Sequence, residues 1–430
     1  MKKEDVLTLL DKKRRGIDSP SYNRLSKITG YSSRHLKRLI KRIEEEGIDE
    51  ILEHKNRGSI PSNKASNTEL KYLCRFKTQY PIITIAQFKD IYEEDIVLNK
   101  KKINVVKRNK LKVRSYSFYE SLFKKEGWKS PVKHKAIKDG DRSIHPLREP
   151  CECYGHMVQI DGTPFDWLGI GENWTLHLAV DDATSSVLAG WFTKNECLYG
   201  YCQMMRLMME KHGIPISLYS DRHTIFKGLD GNLTSFGVLM KELDIEMIFA
   251  GSPEAKGRIE RYNGTCQRRL VNDIKRFKIK SYDELNVWFN DFYIKYLNSK
   301  FSYQARSPIN EFVEIDNDFD YSNFFSLRFK RIIGNNSTFS LNNFNYAPIN
   351  DKGEIIYIRK GVEVNVRLEI LSIKITINRY GVVYDCINLG PNNKGRRKNV
   401  VDNSKELEAF INNNSNTIKG LKTKASKIIK

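Results

Sequence analysis

Residues 254–264 read Glu254-Ala-Lys-Gly-Arg-Ile-Glu-Arg-Tyr-Asn-Gly264. The segment has the texture of a helix that carries Glu260, and its meaning comes from what precedes it. A strand-like run, Met157-Val-Gln-Ile-Asp161-Gly, ends in a carboxylate, and a second, Ile216-Ser-Leu-Tyr-Ser-Asp221, ends the same way. Three acids, two on strand ends and one on a helix turn, suit a site that holds two divalent cations on a phosphodiester. Such ions sit about 3.5–4 Å apart; one activates the nucleophile and the other stabilises the leaving oxygen. Carboxylate oxygens without His or Cys partners favour hard Mg²⁺ or Mn²⁺ over zinc.

The neighbours of these acids sharpen the expectation. Lys256 and Asn263 stand at i−4 and i+3 from Glu260, so the three share one helical face. A cation and an amide there can hold phosphate oxygens of DNA, and Lys256 can also pair with Glu260. Arg258 and Arg261 flank the same face and suit the duplex backbone. His223, two residues past Asp221, can position a phosphate or a water, or simply pack in its loop. Asp181 and Asp182 also end a strand-like run, but Asp-Asp-Ala-Thr-Ser reads as a hairpin turn whose Asp side chains accept nearby backbone amides.

These words carry a resemblance. The order Asp161, Asp221, Glu260, with Ser252-Pro-Glu-Ala-Lys-Gly-Arg-Ile-Glu-Arg261 around the glutamate, resembles the DDE transposases and retroviral integrases. Gln159-Ile-Asp-Gly-Thr-Pro-Phe-Asp-Trp167 and Tyr219-Ser-Asp-Arg-His-Thr-Ile-Phe226 are most similar to the bacterial ISNCY-type insertion-sequence transposases. The match runs from about 150 to 313 and continues more weakly upstream. Asp221 and Glu260 have 38 residues between them, slightly more than is usual in the family, and the turn-like Gly228-Leu-Asp-Gly-Asn232 accommodates the surplus. The resemblance implies a ribonuclease H-like (integrase core) domain with a mixed sheet, and a metal-dependent transposase of a mobile element. It implies strand cleavage and strand transfer at terminal inverted repeats, with no covalent enzyme intermediate. Two alternatives from other classes remain at this stage, a catalytically inactive DNA-binding regulator and a ribonuclease H-type nuclease.

Charge agrees with a polyanionic partner. The net charge is +21, unevenly spread: +16 over residues 1–150, −7 over 151–250 and +12 over the rest. An acidic centre between basic flanks would repel DNA unless bound cations screened it. Seven scattered cysteines without a Cys-x-x-Cys pair suggest reduced thiols. Cys151, Cys153 and His156 fit no common zinc spacing. No run of about 18 apolar residues implies a membrane helix, and Met-Lys-Lys-Glu-Asp-Val lacks a signal core, so a cytoplasmic protein is expected.

The organisation expected is multidomain. Residues 1–60 form a helix-turn-helix domain, with Leu25 and Ile28 on the first helix and a turn at Gly30-Tyr31. The second helix, 34–43, buries Leu36, Leu39, Ile40 and Ile43. It presents Arg34, Lys37, Arg38 and Lys41 outward, as a helix laid in the major groove would. A second helical, helix-turn-helix-like DNA-binding region is expected over 61–128 and a basic linker over 129–150. The catalytic core follows over 151–313, with strands at 156–161, 174–181, 187–193, 216–220 and 245–249. Its helices fall at about 196–212, 233–243, 253–276 and 282–298. A small β-barrel occupies 327–390, followed by a mobile Asn/Lys-rich tail over 391–430 with a short helix at about 403–412. Homo-oligomerisation on paired DNA ends is implied by the resemblance alone.

Overall fold

The computed structural model describes residues 1–18, 20–52, 64–131, 149–228, 232–249, 257–391 and 404–413. They fall in two compact units, one of residues 1–78 and 96–113, the other of 79–95 and 114–430. Most of the 129–150 linker and of the 391–430 tail, and the centre of the turn at 228–232, lie outside the described residues.

In the first unit α1 (Lys3–Arg14), α2 (Tyr22–Thr29), α3 (Ser33–Glu46) and α4 (Ile48–Leu52) enclose one core of Val6, Leu7, Leu10, Leu25, Leu36, Leu39, Ile43 and Ile51. The turn between α2 and α3 is built from local chemistry. Gly30 adopts φ 76°, where a side chain would be strained, and its N–H returns to Ser26 O. Ser32 then caps α3 by accepting from His35 N at 3.3 Å. The same unit holds α5 (Asn67–Gln79) and, after α6 (Ile85–Tyr92) of the second unit, α7 (Ile103–Asn109). The 61–128 stretch is therefore shared between the units.

The second unit takes α6 and α8 (Tyr116–Lys125) and then a mixed sheet. β1 (Met157–Phe165), β2 (Trp174–Asp181) and β3 (Val187–Thr193) form an antiparallel meander. After α9 (Leu198–His212), β4 (Ser217–Ser220) pairs parallel to β1. After α10 (Ser235–Glu242), β5 (Glu246–Phe249) pairs parallel to β4, giving the order β3-β2-β1-β4-β5. The strands of this sheet alternate their contacts with period 2. Ile160, Ala179 and Ala189 face α9 and α10, while Leu176, Leu178 and Val180 face α11 (Gly257–Phe277), α12 (Tyr282–Trp288) and α13 (Ile294–Phe301).

β3 is an edge strand, and its outer backbone groups are met by side-chain amides rather than by another strand. Asn286 exchanges hydrogen bonds with Phe192 N and O, Asn290 with Gly190 N and O, and Asn298 with Val187 N and O. A π-helical turn, Phe289–Tyr293, separates α12 from α13 and seats Phe289 over Gly190, where a Cβ would lie 2.5 Å from the ring.

After the short α14 (Tyr321–Phe324), β6 (Ser326–Ile332), β7 (Phe339–Leu341), β8 (Phe344–Pro348), β9 (Glu363–Glu369), β10 (Lys374–Arg379) and β11 (Val382–Pro391) form an antiparallel sheet. Its order is β6-β9-β10-β11-β8-β7. The two edges come together where Arg331 Nε donates to Ser340 O at 3.1 Å, so the sheet nearly closes. This sheet is not an independent core. Val366, Leu368 and Ile377 belong to one continuous apolar cluster with Met204, Met205 and Met208 of α9, and α15 (Ser404–Asn413) adds Leu407 and Ile411 to it.

Candidate active site

The parallel pairing of β1 with β4 determines where the first two acids stand. Gln159 is opposite Tyr219 in the last pair of that ladder, so Asp161 and Asp221 each follow two residues beyond it, past the same end of the pairing. The sequence reading places Asp161 at a strand end; β1 instead runs on to Phe165. It continues because β2 offers an antiparallel partner up to Trp174, while the parallel ladder with β4 stops at Gln159. Asp161 thus lies two residues past the end of the parallel ladder, inside a longer strand. Asp221 leaves β4 directly, and its Oδ1 accepts from His223 N at 2.9 Å, which folds the following loop back on it. His223 is exposed, and its Nδ1 accepts from Ile225 N at 3.4 Å.

Helix α11 approaches from the other direction. Asn263, 6 % exposed, donates from Nδ2 to Asp161 Oδ2 at 2.7 Å. Glu260 lies one turn earlier and is exposed, so the helix that reaches Asp161 presents Glu260 on the same flank. The amide oxygen of Asn263, Oδ1, is buried and without a hydrogen-bond partner. A buried acceptor left unpaired costs about 1–3 kcal/mol, and a hydrated cation or a water beside Asp161 would meet it. An amide oxygen beside the Asp161 carboxylate is the kind of oxygen donor a hard divalent ion takes. Among the described residues, which include Asp161, Asp221 and Glu260, no group of three or more His, Cys, Asp or Glu side chains is placed to hold a metal ion.

The remaining residues singled out from sequence are distributed as follows. Arg258 commits its Nη1 to Asp182 at 2.9 Å, and only 19 % of its side chain is exposed. Arg261 is exposed and lines a small pocket with Tyr262, Thr265 and Tyr303. Lys256 lies outside the described residues. Arg34, Lys37, Arg38 and Lys41 are all exposed along α3, opposite the buried Leu36, Leu39 and Ile43; Ile40 is half-buried. Lys37 lies over the Tyr22 ring at 5.3 Å, and Lys41 faces Glu45 at 3.8 Å. Asp181 closes the hairpin as its sequence context indicates, accepting from Thr184 N and Oγ1 at 2.8 and 2.6 Å. Asp182 does not stay in the turn; it joins a buried network described below.

One residue near the site does not stand out in the sequence. Glu196, just before α9, carries a carboxyl that feels both Asp161 and Asp221. Burial raises it above the usual carboxylate range and those two charges add to the effect, while the hydrogen bond from Tyr201 and the charge of His223 oppose it. Tyr201, fully buried, donates to Glu196 Oε1 at 2.7 Å. Gly162 makes room for it: a Cβ there would lie 2.6 Å from the Glu196 Cδ. The one hint in sequence is that glycine directly after Asp161, and a strand glycine marks a bulge or a bend as readily as a close approach.

No protein-family model matches the chain. By sequence it is similar to two transposases. It is 30 % identical over 234 residues to the transposase for insertion sequence IS1202 of Streptococcus pneumoniae, covering 53 % of this chain and 50 % of that protein. It is 36 % identical over 163 residues to the putative transposase y4bF of Sinorhizobium fredii, covering 36 % of this chain and 35 % of the relative. The chain thus spans half or less of the curated relatives it matches. Two solved structures match at lower similarity. The HTLV-2 integrase catalytic core domain in complex with magnesium is 18 % identical, with a TM-score of 0.25 over 32 % of this chain and 85 % of that one. The simian T-cell lymphotropic virus intasome is 13 % identical, with a TM-score of 0.29 over 67 % and 92 %. Scores this low do not assign a fold.

Proposed function

We propose that this protein is a DDE-type transposase of a bacterial insertion sequence, working on DNA in the cytoplasm. The reading is carried by the parallel pairing of β1 with β4, whose last pair lies two residues before both Asp161 and Asp221, together with the hydrogen bond that ties the Glu260 helix to Asp161 through Asn263. The relationship to insertion-sequence transposases supports it independently. The strand order, three antiparallel strands and then two parallel ones, is the one expected of a ribonuclease H-like core.

Asp161, Asp221 and Glu260 would hold two Mg²⁺ or Mn²⁺ ions. When bound, such ions supply an activated attacking oxygen and offset the charge on the leaving oxygen. The chain's own residues do the rest. Asn263 holds Asp161 in one orientation, and the His223 backbone does the same for Asp221. Water attacks the phosphodiester at the transposon end and the 3′-oxygen leaves. The freed 3′-hydroxyl then attacks a target phosphodiester in line at the same site, expelling the target strand's 3′-oxygen, which takes up the proton, and no side chain is bonded to DNA at any stage. Lys256, Arg261 and the basic face of α3 would contact the duplex, with α2 and α3 acting as a helix-turn-helix on the terminal repeats. The 61–128 region would add DNA contacts, and assembly on two ends would bring copies of the chain together.

The test is a strand-cleavage and strand-joining assay on duplexes taken from the DNA flanking the gene. Wild-type protein with Mg²⁺ should nick and join them. Asp161→Asn, Asp221→Asn and Glu260→Gln should each abolish both steps while leaving end binding intact. Cleavage confined to RNA–DNA hybrids would replace this reading with the ribonuclease one. Binding without cleavage by the wild type would replace it with the regulator.

A further inference from the structure

The first turn of any helix leaves backbone N–H groups without intrahelical partners. At the start of α11 one of them is met from another element: Ile259 N donates to Gln159 Oε1 at 3.1 Å. Gln159 is fully buried on β1, two residues before Asp161 and on the same face of the strand. Its other end, Nε2, donates to Asp182 Oδ1 at 2.7 Å. The same oxygen accepts from Arg258 Nη1 at 2.9 Å, and Asp182 Oδ2 accepts from Cys151 N at 2.9 Å. Asp182 is itself fully buried. Two consecutive residues of the helix, Arg258 and Ile259, are therefore tied to one Gln159–Asp182 pair, and Glu260 is the next residue.

The connections close a loop. Gln159 leads along β1 to Asp161, Asp161 to Asn263, and Asn263 back along one turn of α11 to Glu260 and Ile259. Buried ion pairs contribute little to stability compared with a well-packed apolar replacement. They do specify geometry when every partner is satisfied. We infer that Gln159, Asp182 and Arg258 are positioning residues that fix the register of the Glu260 turn against Asp161. On this inference they set the affinity of the site for divalent ions. It rests on the metal-dependent reading above.

The experiment uses the full-length protein and two lesions at opposite ends of the network, Gln159→Met and Arg258→Met, with Arg258→Lys as the conservative variant. Mn²⁺ binding is measured by calorimetry, and backbone hydrogen exchange over 258–263 is followed without metal. Loss of groups that orient metal ligands typically weakens metal affinity about 10–100-fold. Both Met variants should weaken Mn²⁺ binding by at least about tenfold and speed exchange over 258–263 more than elsewhere in the core; because each leaves a buried group unpaired, their melting temperatures should also fall. Arg258→Lys, which keeps a cation beside Asp182 without the planar fork, should fall between them and wild type. Wild-type affinity and exchange in either Met variant overturns the inference, as does failure of both to fold, because the network is then only structural. If wild-type protein binds no Mn²⁺, or Glu260→Gln binds it as well as wild type, the metal-site reading fails instead. The exchange measurement still decides whether the clamp holds the helix turn.

Discussion

At the scale of single residues, His177 shows how much the sheet-to-helix contact depends on one uncharged ring. It is fully buried in β2, with Nδ1 3.1 Å from Trp191 O and Nε2 accepting from Cys197 N at 3.2 Å. A Cβ on Gly200 would lie 2.3 Å from the ring, so α9 rests directly on it. Burial pushes its pKa from 6.5 down to about 4, against the backbone hydrogen bonds at Trp191 and Thr175. Because the folded pKa is lowered, the unfolded chain takes up the proton first. The stabilising effect is complete above about pH 6.5 and is lost as pH falls toward 4. The full span is worth about 3 kcal/mol. His177→Gln keeps a donor and an acceptor but does not titrate, so its melting temperature should fall less steeply than wild type between pH 6.5 and 4. An unchanged acid limb would remove His177 from the account.

At the scale of elements, the Asn286, Asn290 and Asn298 amides stand where a sixth strand would pair. Asn290→Leu should leave the Gly190 N–H and C=O without partners and cost about 1–3 kcal/mol, read by denaturant unfolding. A loss below a few tenths would mean that water replaces the amide. On α3, Arg34→Ala with Lys37→Ala should lower affinity for the terminal repeat. Base contacts would each be worth about 1–3 kcal/mol and would relax specificity. Phosphate contacts would weaken all sequences alike and flatten the salt slope. Unchanged binding would return the helix to an ordinary solvated face. The elements of both sheets are legible in the sequence because period-2 burial and turn residues are local signals. The extension of β1 past Asp161 is not, since it depends on β2 reaching Trp174. Nor are the partners of Asp182 and Arg258. Residues 76 positions apart meet only in the tertiary fold, so a turn aspartate and a DNA-facing arginine are the natural local readings.

At the scale of the whole molecule, sequence texture suggests a small barrel appended to a catalytic core and followed by a tail. The structure gives the described C-terminal elements a common core with α9 instead. Gln203 Nε2 donates to Leu371 O at 3.1 Å, and Ile411 is fully buried. Ile411→Ala should therefore cost about 2–5 kcal/mol, seen as a lower melting temperature for the mixed sheet and the C-terminal sheet together. Separate transitions, with only the C-terminal one shifted, would contradict a shared core. The charge pattern belongs to this scale too: the −7 segment from 151 to 250 carries two of the three site acids between flanks of +16 and +12. On the proposed function, Asp161, Asp221 and Glu260 together hold the ions that act on DNA. Anomalous diffraction from crystals of the full-length protein with Mn²⁺ and a terminal-repeat duplex tests it most directly. Manganese peaks are expected beside Asp161, Asp221 and Glu260, at the phosphodiester of the transposon end. Manganese bound elsewhere with the duplex in place, or DNA seated away from these three carboxylates, would contradict it.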